Sequence, residues 1–247
     1  QGYDITFINT CFENRKMSYY EHCRYRNFEG VAIVCADYND PDVLELMNSD
    51  LPVVTIDYVH HNCTAVSSNN IQGIEDLVKY IYQQGHRKIA YIHGQENSYV
   101  TKDRLASFYR TMDELGLEVP DEYIRTADYL ETKEAARQTR ELLNLADVPT
   151  CIIYPDDTAL IGGRNVIIEM GLRIPRDISV AGYDGTRISQ LLHPKLTTIR
   201  QNTELIGSEA AKRLIGTIEK PRTTLVERVV IEGSLVPGQS VGKFLQK

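Results

Sequence analysis

Carboxylates, amides and phenols crowd the loops that follow the apolar runs of this chain, a combination suited to hydroxylated small molecules. Carboxylates and amides bond vicinal hydroxyls, while aromatic faces cover the apolar side of a sugar ring. The clearest case lies in residues 174–201, IPRDISVAGYDGTRISQLLHPKLTTIRQ. There a short apolar strand at 178–182 leads to the turn Tyr183-Asp184-Gly185, and a β-rich run at 196–200 follows a proline-bounded segment. An acid at the carboxyl end of a parallel strand stands where open α/β sheets place ligand contacts. The other strand-end loops fall at 10–15, 36–39, 57–62, 93–101, 128–132 and 154–157. They hold Tyr99, Tyr129, Tyr154 and Asp156.

Other chemistries find less support. Asp156-Asp157 and the tyrosines invite an acid–base argument, but the chain has no GxSxG and no Gly-rich phosphate loop after a strand. Gly162-Gly163 falls inside a predicted helix, so no enzyme is expected. Cys11, Cys23, Cys35, Cys63 and Cys151 are odd in number and lack CxxC or Cys/His ligand spacing. They read as ordinary thiols of a reduced cytosolic chain. His60-His61 reads as a loop pair, and neither a metal nor a cofactor is expected.

The elements that must position these residues follow from composition and periodicity. The 247 residues, 42% hydrophobic and 25% charged, can bury a core of one large or two ordinary domains. A net charge of −7 argues against this stretch itself gripping a phosphate backbone, without excluding an attached basic module. No apolar run approaches the roughly 18–20 residues a bilayer crossing needs. No signal peptide is present, although a start at Gln1 makes that uninformative.

Strand-like and helix-like segments alternate, the pattern of parallel α/β architecture. Strands are predicted at 5–9, 31–35, 53–56, 88–92, 151–154, 178–181, 196–200 and 225–231. Helices are predicted at 16–26, from Asp40-Pro41 onward, and at 71–84, 102–115, 133–145, 158–170 and 202–218. Asp40 reads as an N-cap with proline in the first turn, and Gly85, Gly116 and Gly171 as stops. Two such series suggest two α/β lobes.

Four segments together resemble the lac repressor/galactose repressor family over nearly the whole chain. They are QQGHRKIAYIHG at 83–94, the loop and helix through 101–108, YPDDTALIGG at 154–163, and 174–201 with its LTTIRQ. The resemblance implies two doubly wound parallel-sheet lobes of periplasmic-binding-protein type, joined by three hinge crossings near 67–70, 199–202 and 223–229. The N-terminal lobe would then comprise 1–69 plus 201–224, and the C-terminal lobe 70–200 plus 225–247. It also implies a ligand in the cleft between lobes, a homodimer, and an N-terminal helix-turn-helix on operator DNA.

Carried over residue by residue, Arg104 matches an arginine that holds ligand oxygens, a task for a planar fork. Asp184 matches the family's ligand-binding acid, Tyr129 an aromatic that stacks on the ligand, and Gln201 a hinge residue that reaches the cleft. Tyr99 and Tyr154 are further candidates. Asp156 stands where the family usually has asparagine, so it could accept from a hydroxyl but not donate, which favours a donor-rich or cationic ligand.

The resemblance begins at the family's second strand, so the helix-turn-helix, first strand and first helix lie outside the chain. In a sheet of order 2-1-3-4-5 the first strand sits between the second and third. Without it, 5–9 and 31–35 would have unpaired ladder edges, and the N-terminal lobe is expected to be less ordered or reorganised. The expected function is the effector-sensing and dimerisation part of a cytoplasmic transcriptional regulator, binding a sugar or related metabolite. The alternative is the solute-binding protein of a sugar transporter, which LTTIRQ and the odd cysteines disfavour.

Overall fold

Where a β-branched run meets a capped amphipathic stretch, the chain forms a strand and then a helix that folds back on it. The computed structural model describes residues 2–8, 11–12 and 15–244. The chain opens with the short antiparallel pair β1 (Cys11–Phe12) and β2 (Arg15–Lys16). Then come α1 (Tyr19–Tyr25), β3 (Val31–Ile33), α2 (Pro41–Met47), β4 (Val53–Ile56) and β5 (Thr64–Ser68). Next are α3 (Asn70–Gln83), β6 (Ile89–His93), α4 (Tyr99–Glu114), β7 (Ile124–Thr126) and α5 (Thr132–Leu143). They are followed by β8 (Cys151–Ile153), α6 (Asp157–Glu169), β9 (Ser179–Asp184) and β10 (Thr197–Arg200). The chain finishes with α7 (Thr203–Glu219), β11 (Arg228–Ile231) and β12 (Ser234–Val236).

These elements form two compact units, Gln1–Ser67 with Thr203–Ile231, and Ser68–Asn202 with Glu232–Lys247. The larger unit holds a six-stranded sheet of order β12-β10-β9-β8-β6-β7. Its five parallel strands read 2-1-3-4-5 from β7 to β10, the doubly wound order, with β12 antiparallel on the edge. Alternation along β6 sends Ala90 and Ile92 to one face, among Ala135, Leu142, Leu160 and Ile167 of α5 and α6. Ile89 and Tyr91 go to the other face, among Ile74, Leu77, Phe108 and Met112 of α3 and α4. Each such fully buried aliphatic side chain contributes about 1.5–3 kcal/mol, so the two-sided sheet is the framework that holds any site at its strand ends.

The smaller unit has a four-stranded sheet of order β11-β5-β4-β3, with β3, β4 and β5 parallel. Ile33 and Val53 face Cys23, Val43, Leu46 and Met47 of α1 and α2. Val54 and Val66 face Ile206 and Ala210 of α7. Asp40 caps α2, its carboxylate accepting from Asp42 N at 2.8 Å with proline at the first position, as predicted. Gly171 ends α6 at φ +75°, a left-handed backbone that a side chain disfavours.

Several expectations need correction. The strand predicted at 5–9 is not formed over residues 5–8, and Asn9 lies outside the described residues. A strand needs a partner ladder. Among the described residues β3, its natural neighbour, pairs only with β4; Ile5 and Phe7 are left 86% and 96% exposed, and of residues 5–8 Ile8 packs on the core. Five strands were not predicted. Two are the two-residue β1 and β2, the second lying where the helix predicted at 16–26 would begin. The others are β5, whose Thr and Ser residues disguise five buried positions, and the three-residue β7 and β12. The predicted strand at 225–231 shortens to Arg228–Ile231 and joins the smaller unit rather than the C-terminal lobe. Its place is set by pairing beside β5, where Ala65 N donates to Glu227 O at 2.9 Å. The third passage between units therefore comes at Ile231–Glu232, beyond the 223–229 expected.

Candidate functional site

Arg104 sits on the buried stripe of α4 with Thr101, Phe108, Thr111 and Met112, a spacing that turns it toward the sheet. It is 3% exposed, and a bare buried charge costs several kcal/mol. The structure answers that cost on three sides. Nε donates to Asn70 Oδ1 at 2.8 Å, and Nη1 donates to Pro155 O at 2.9 Å. The guanidinium lies over the Tyr183 ring, its Cζ 3.5 Å from the centroid, a contact worth about 2 kcal/mol when desolvated. Nη2 faces Asp184 Oδ1 at 4.0 Å, an ion pair too long for a hydrogen bond.

Asp184 ends β9 with φ +93°, a conformation unusual outside glycine. The β9–β10 register sets Arg200 beside Asp184, which brings Gln201 onto the acid. Gln201 Nε2 donates to Asp184 Oδ1 at 2.5 Å, and Gln201 N donates to Asp184 O at 3.2 Å. The side chain keeps 27% of its surface exposed. Burial lifts its carboxyl above the usual range, against the pull of Arg104 and Gln201, while Asp156 pushes it further up. Tyr129 completes the group. Its hydroxyl shares a 2.8 Å hydrogen bond with Thr101 Oγ1, and the Arg104 Cζ is 5.7 Å from its ring centroid. Its ring packs so closely on Gly94 that any Cβ there would collide with it.

The structure thus brings Arg104, Asp184, Gln201 and Tyr129 together within the larger unit. It gives other predicted residues different work. Asp156 is 1% exposed and caps α6: Oδ1 accepts from Thr158 N and Ala159 N, and Oδ2 from Leu130 N, each at 2.8 Å. Three of a carboxylate's roughly four acceptor positions thus go to backbone amides, a capping role that sequence reasoning did not foresee. Tyr154 is buried in the core with its hydroxyl on Thr139 Oγ1 at 2.8 Å, because its position continues the inward alternation of β8. Tyr99 stands 47% exposed at the start of α4, with Lys102 Nζ 5.4 Å from its ring centroid.

Sequence reasoning missed three contributors. Asn70, in the polar patch read only as a crossing, is 5% exposed and holds Arg104 while its amide donates to Ser68 O at 3.2 Å. Tyr183 was read as part of a turn, yet its ring is the platform for the guanidinium. Asp157 is fully buried, and burial pushes its carboxyl up to about 6 against the hydrogen bonds of Thr198 and Thr186, with Asp184 pushing it the same way as burial. Adjacent acids carried no signal that one would cap and the other would turn inward.

The cluster pairs opposite charges with an amide and phenols. Charge-assisted hydrogen bonds of this kind contribute about 1.5–3 kcal/mol each. Among the described residues no group of three or more His, Cys, Asp or Glu could hold a metal ion. No helix among them is long and apolar enough to cross a membrane.

Residues 78–241 match a family described as a periplasmic binding protein-like domain. The chain is 30% identical over 227 residues to the HTH-type transcriptional repressor PurR of Actinobacillus pleuropneumoniae serotype 3 (strain JL03), covering 90% of this chain and 67% of that protein. A structure described as a transcriptional regulator LacI from Bacillus cereus subsp. cytotoxis NVH 391-98 superimposes with TM-score 0.85 at 25% identity, covering 92% of this chain and 80% of that one. A complex of the transcriptional regulator CelR with cellobiose superimposes with TM-score 0.80 at 26% identity, covering 90% and 71%.

Proposed function

The chain belongs to the lac repressor family, as the ligand-binding domain of a transcriptional regulator, and on that premise we propose a sugar or related neutral metabolite as its effector. The family is one of repressors, not enzymes. The observation that carries the proposal is the Arg104–Asp184 pair, 4.0 Å apart, with Gln201 on the acid. Arg104 Nη2 donates to one ligand hydroxyl oxygen, and the adjacent hydroxyl donates to the carboxylate. The two charges cancel, which favours a neutral polyol over an anionic sugar phosphate. Tyr129 covers the ring's apolar face. The cellobiose bound in the CelR structure is consistent with this class of ligand.

In the same proposal the full-length protein is a cytoplasmic homodimer that reads operator DNA through an N-terminal helix-turn-helix. The chain spans about two thirds of its HTH-type relative, which leaves room for such a head. These relatives favour the regulator over a transporter's solute-binding protein. Effector binding changes operator affinity to the extent that the effector prefers one conformation of the domain.

Calorimetric titration with D-ribose, cellobiose and glucose 6-phosphate tests the ligand class. A neutral sugar is expected to bind and the phosphate to bind more weakly. Arg104→Ala, Arg104→Lys and Asp184→Ala are each expected to weaken binding of the neutral sugar by roughly tenfold or more. Lysine fails because it cannot hold Asn70 and Pro155 while reaching the ligand. Unchanged affinity in Arg104→Ala and Asp184→Ala would sink the site assignment.

A further inference from the structure

Asp157 is a buried acid without an obvious reason to be there. It is the first residue of α6, but the helix already has its cap in Asp156. Its carboxylate turns instead toward the end of β9. Oδ2 accepts from Thr186 N at 2.7 Å and from Thr186 Oγ1 at 3.0 Å. Oδ1 lies so close to Gly182 that a Cβ there would collide with it. A buried carboxylate is costly to keep, so a segment that depends on it should be under constraint.

That segment is the turn carrying Asp184. Asp184 at φ +93° and Gly185 at φ +63° are two successive left-handed residues, and such backbone persists only where its surroundings over-determine it. Ser189 N and Oγ hold the Thr186 carbonyl at 3.1 and 2.7 Å, and three further anchors hold the residues before it and its donors. Gln201 N donates to Asp184 O at 3.2 Å, Gly185 N donates to Thr198 Oγ1 at 3.2 Å, and Thr186 is held by Asp157. The first two come from β10 and the residue after it. Asp157 supplies the third, from the opposite side of β9. With it gone, the turn can relax toward ordinary φ and swing the Asp184 carboxylate away from Arg104.

We infer that Asp157 is the positioning residue of the effector site: through Thr186 it holds Asp184 in the strained conformation that faces Arg104. This rests on the reading of Asp184 as a ligand contact. The variants are Asp157→Ala and Thr186→Val, the second keeping side-chain shape while losing the hydroxyl donor. Two measurements separate the inference from that reading. In the ligand-free protein, carboxyl-carbon NMR follows the titration of Asp184, and amide exchange follows Gly185 and Thr186. In parallel, calorimetry follows the neutral sugar that binds the parent protein.

Asp157→Ala is expected to shift the Asp184 titration midpoint, to speed exchange at Thr186, and to weaken sugar binding by roughly tenfold. Thr186→Val should move the same midpoint by less. An Asp184 midpoint and a Thr186 exchange rate unchanged in Asp157→Ala overturn the inference, whatever the sugar does. If no sugar binds the parent protein, the effector reading falls and the NMR measurements still decide this one. Should Asp157→Ala fail to fold, an unchanged Asp184 midpoint in Thr186→Val overturns it equally.

Discussion

Arg104 has committed two of its donors and one face before any ligand arrives: Asn70, Pro155 and Tyr183 hold it in place. In the proposed role, a side chain fixed this way would lose little conformational freedom on binding, so its remaining donors would act at nearly full strength. Asp157 is constrained in the opposite sense, since its burial disfavours the charged form. Its carboxyl is raised from 3.8 to about 6, so the folded state holds the proton more tightly than the unfolded chain. The resulting stabilisation is complete below the unfolded value and is lost as pH rises through about 6. Lowering the pH from 7.5 to 5 should therefore stabilise the parent protein relative to Asp157→Asn by about 1 kcal/mol. Chemical denaturation of both proteins at the two pH values measures this, and a parallel response of the two would refute it. Such roles are invisible in residue types: Asp156 and Asp157 are identical neighbours, one capping a helix and the other bracing a turn.

At the scale of elements, α6 begins at a crowded point. The Asp156 carboxylate closes the first turn of the helix and also holds Leu130 N, in the loop that carries Tyr129. Asp156→Ala should cost about 1–2 kcal/mol from the lost cap, with more from the unpaired buried amide. Denaturant midpoints would show it, and a loss below a few tenths of a kcal/mol would mean that water replaces the carboxylate. The helices were legible because caps, stripes and stop signals are local. Asp40 with Pro41, the stripe Ile74, Leu77, Val78 and Ile81, and Gly171 each act within a turn or two of chain. β5 was not, because its Thr64, Ser67 and Ser68 are polar residue types although all five of its positions are buried. Tyr154 misled for a similar reason: a tyrosine beside a strand end faces either the core or the ligand, and only the register decides which.

For the whole molecule, the two units differ in how completely their sheets are enclosed. In the larger one β6 and β8 are central and buried on both faces. In the smaller one β3 is an edge strand among the described residues, and Ile5 and Phe7 stand in solvent. Amide exchange should reflect that contrast, since local opening follows packing density. Protection is expected to be strongest in β6 and β8, weaker in β3, and near the unstructured rate over residues 2–8. Protection of β3 equal to that of β6 would mean that another segment pairs with its open edge. The parallel α/β character of the larger unit followed from the alternation of strands and helices, and its doubly wound order from the resemblance to the lac repressor family. The fate of residues 5–8 did not, because pairing depends on a partner that a strand's own residues cannot reveal.

Neither unit is a continuous stretch of chain, and this gives the order of synthesis a structural meaning. By residue 231 every segment of the smaller unit has been made. The larger unit still lacks β12 on β10, the Ser240 carbonyl that accepts from Val180 N at 3.0 Å, and the Gly242 carbonyl that meets His86 Nε2 at 3.0 Å. A chain ended before those residues would hold Arg104 and Asp184 on an unfinished sheet. The larger unit can therefore complete its sheet only after the smaller unit's last strand has been made.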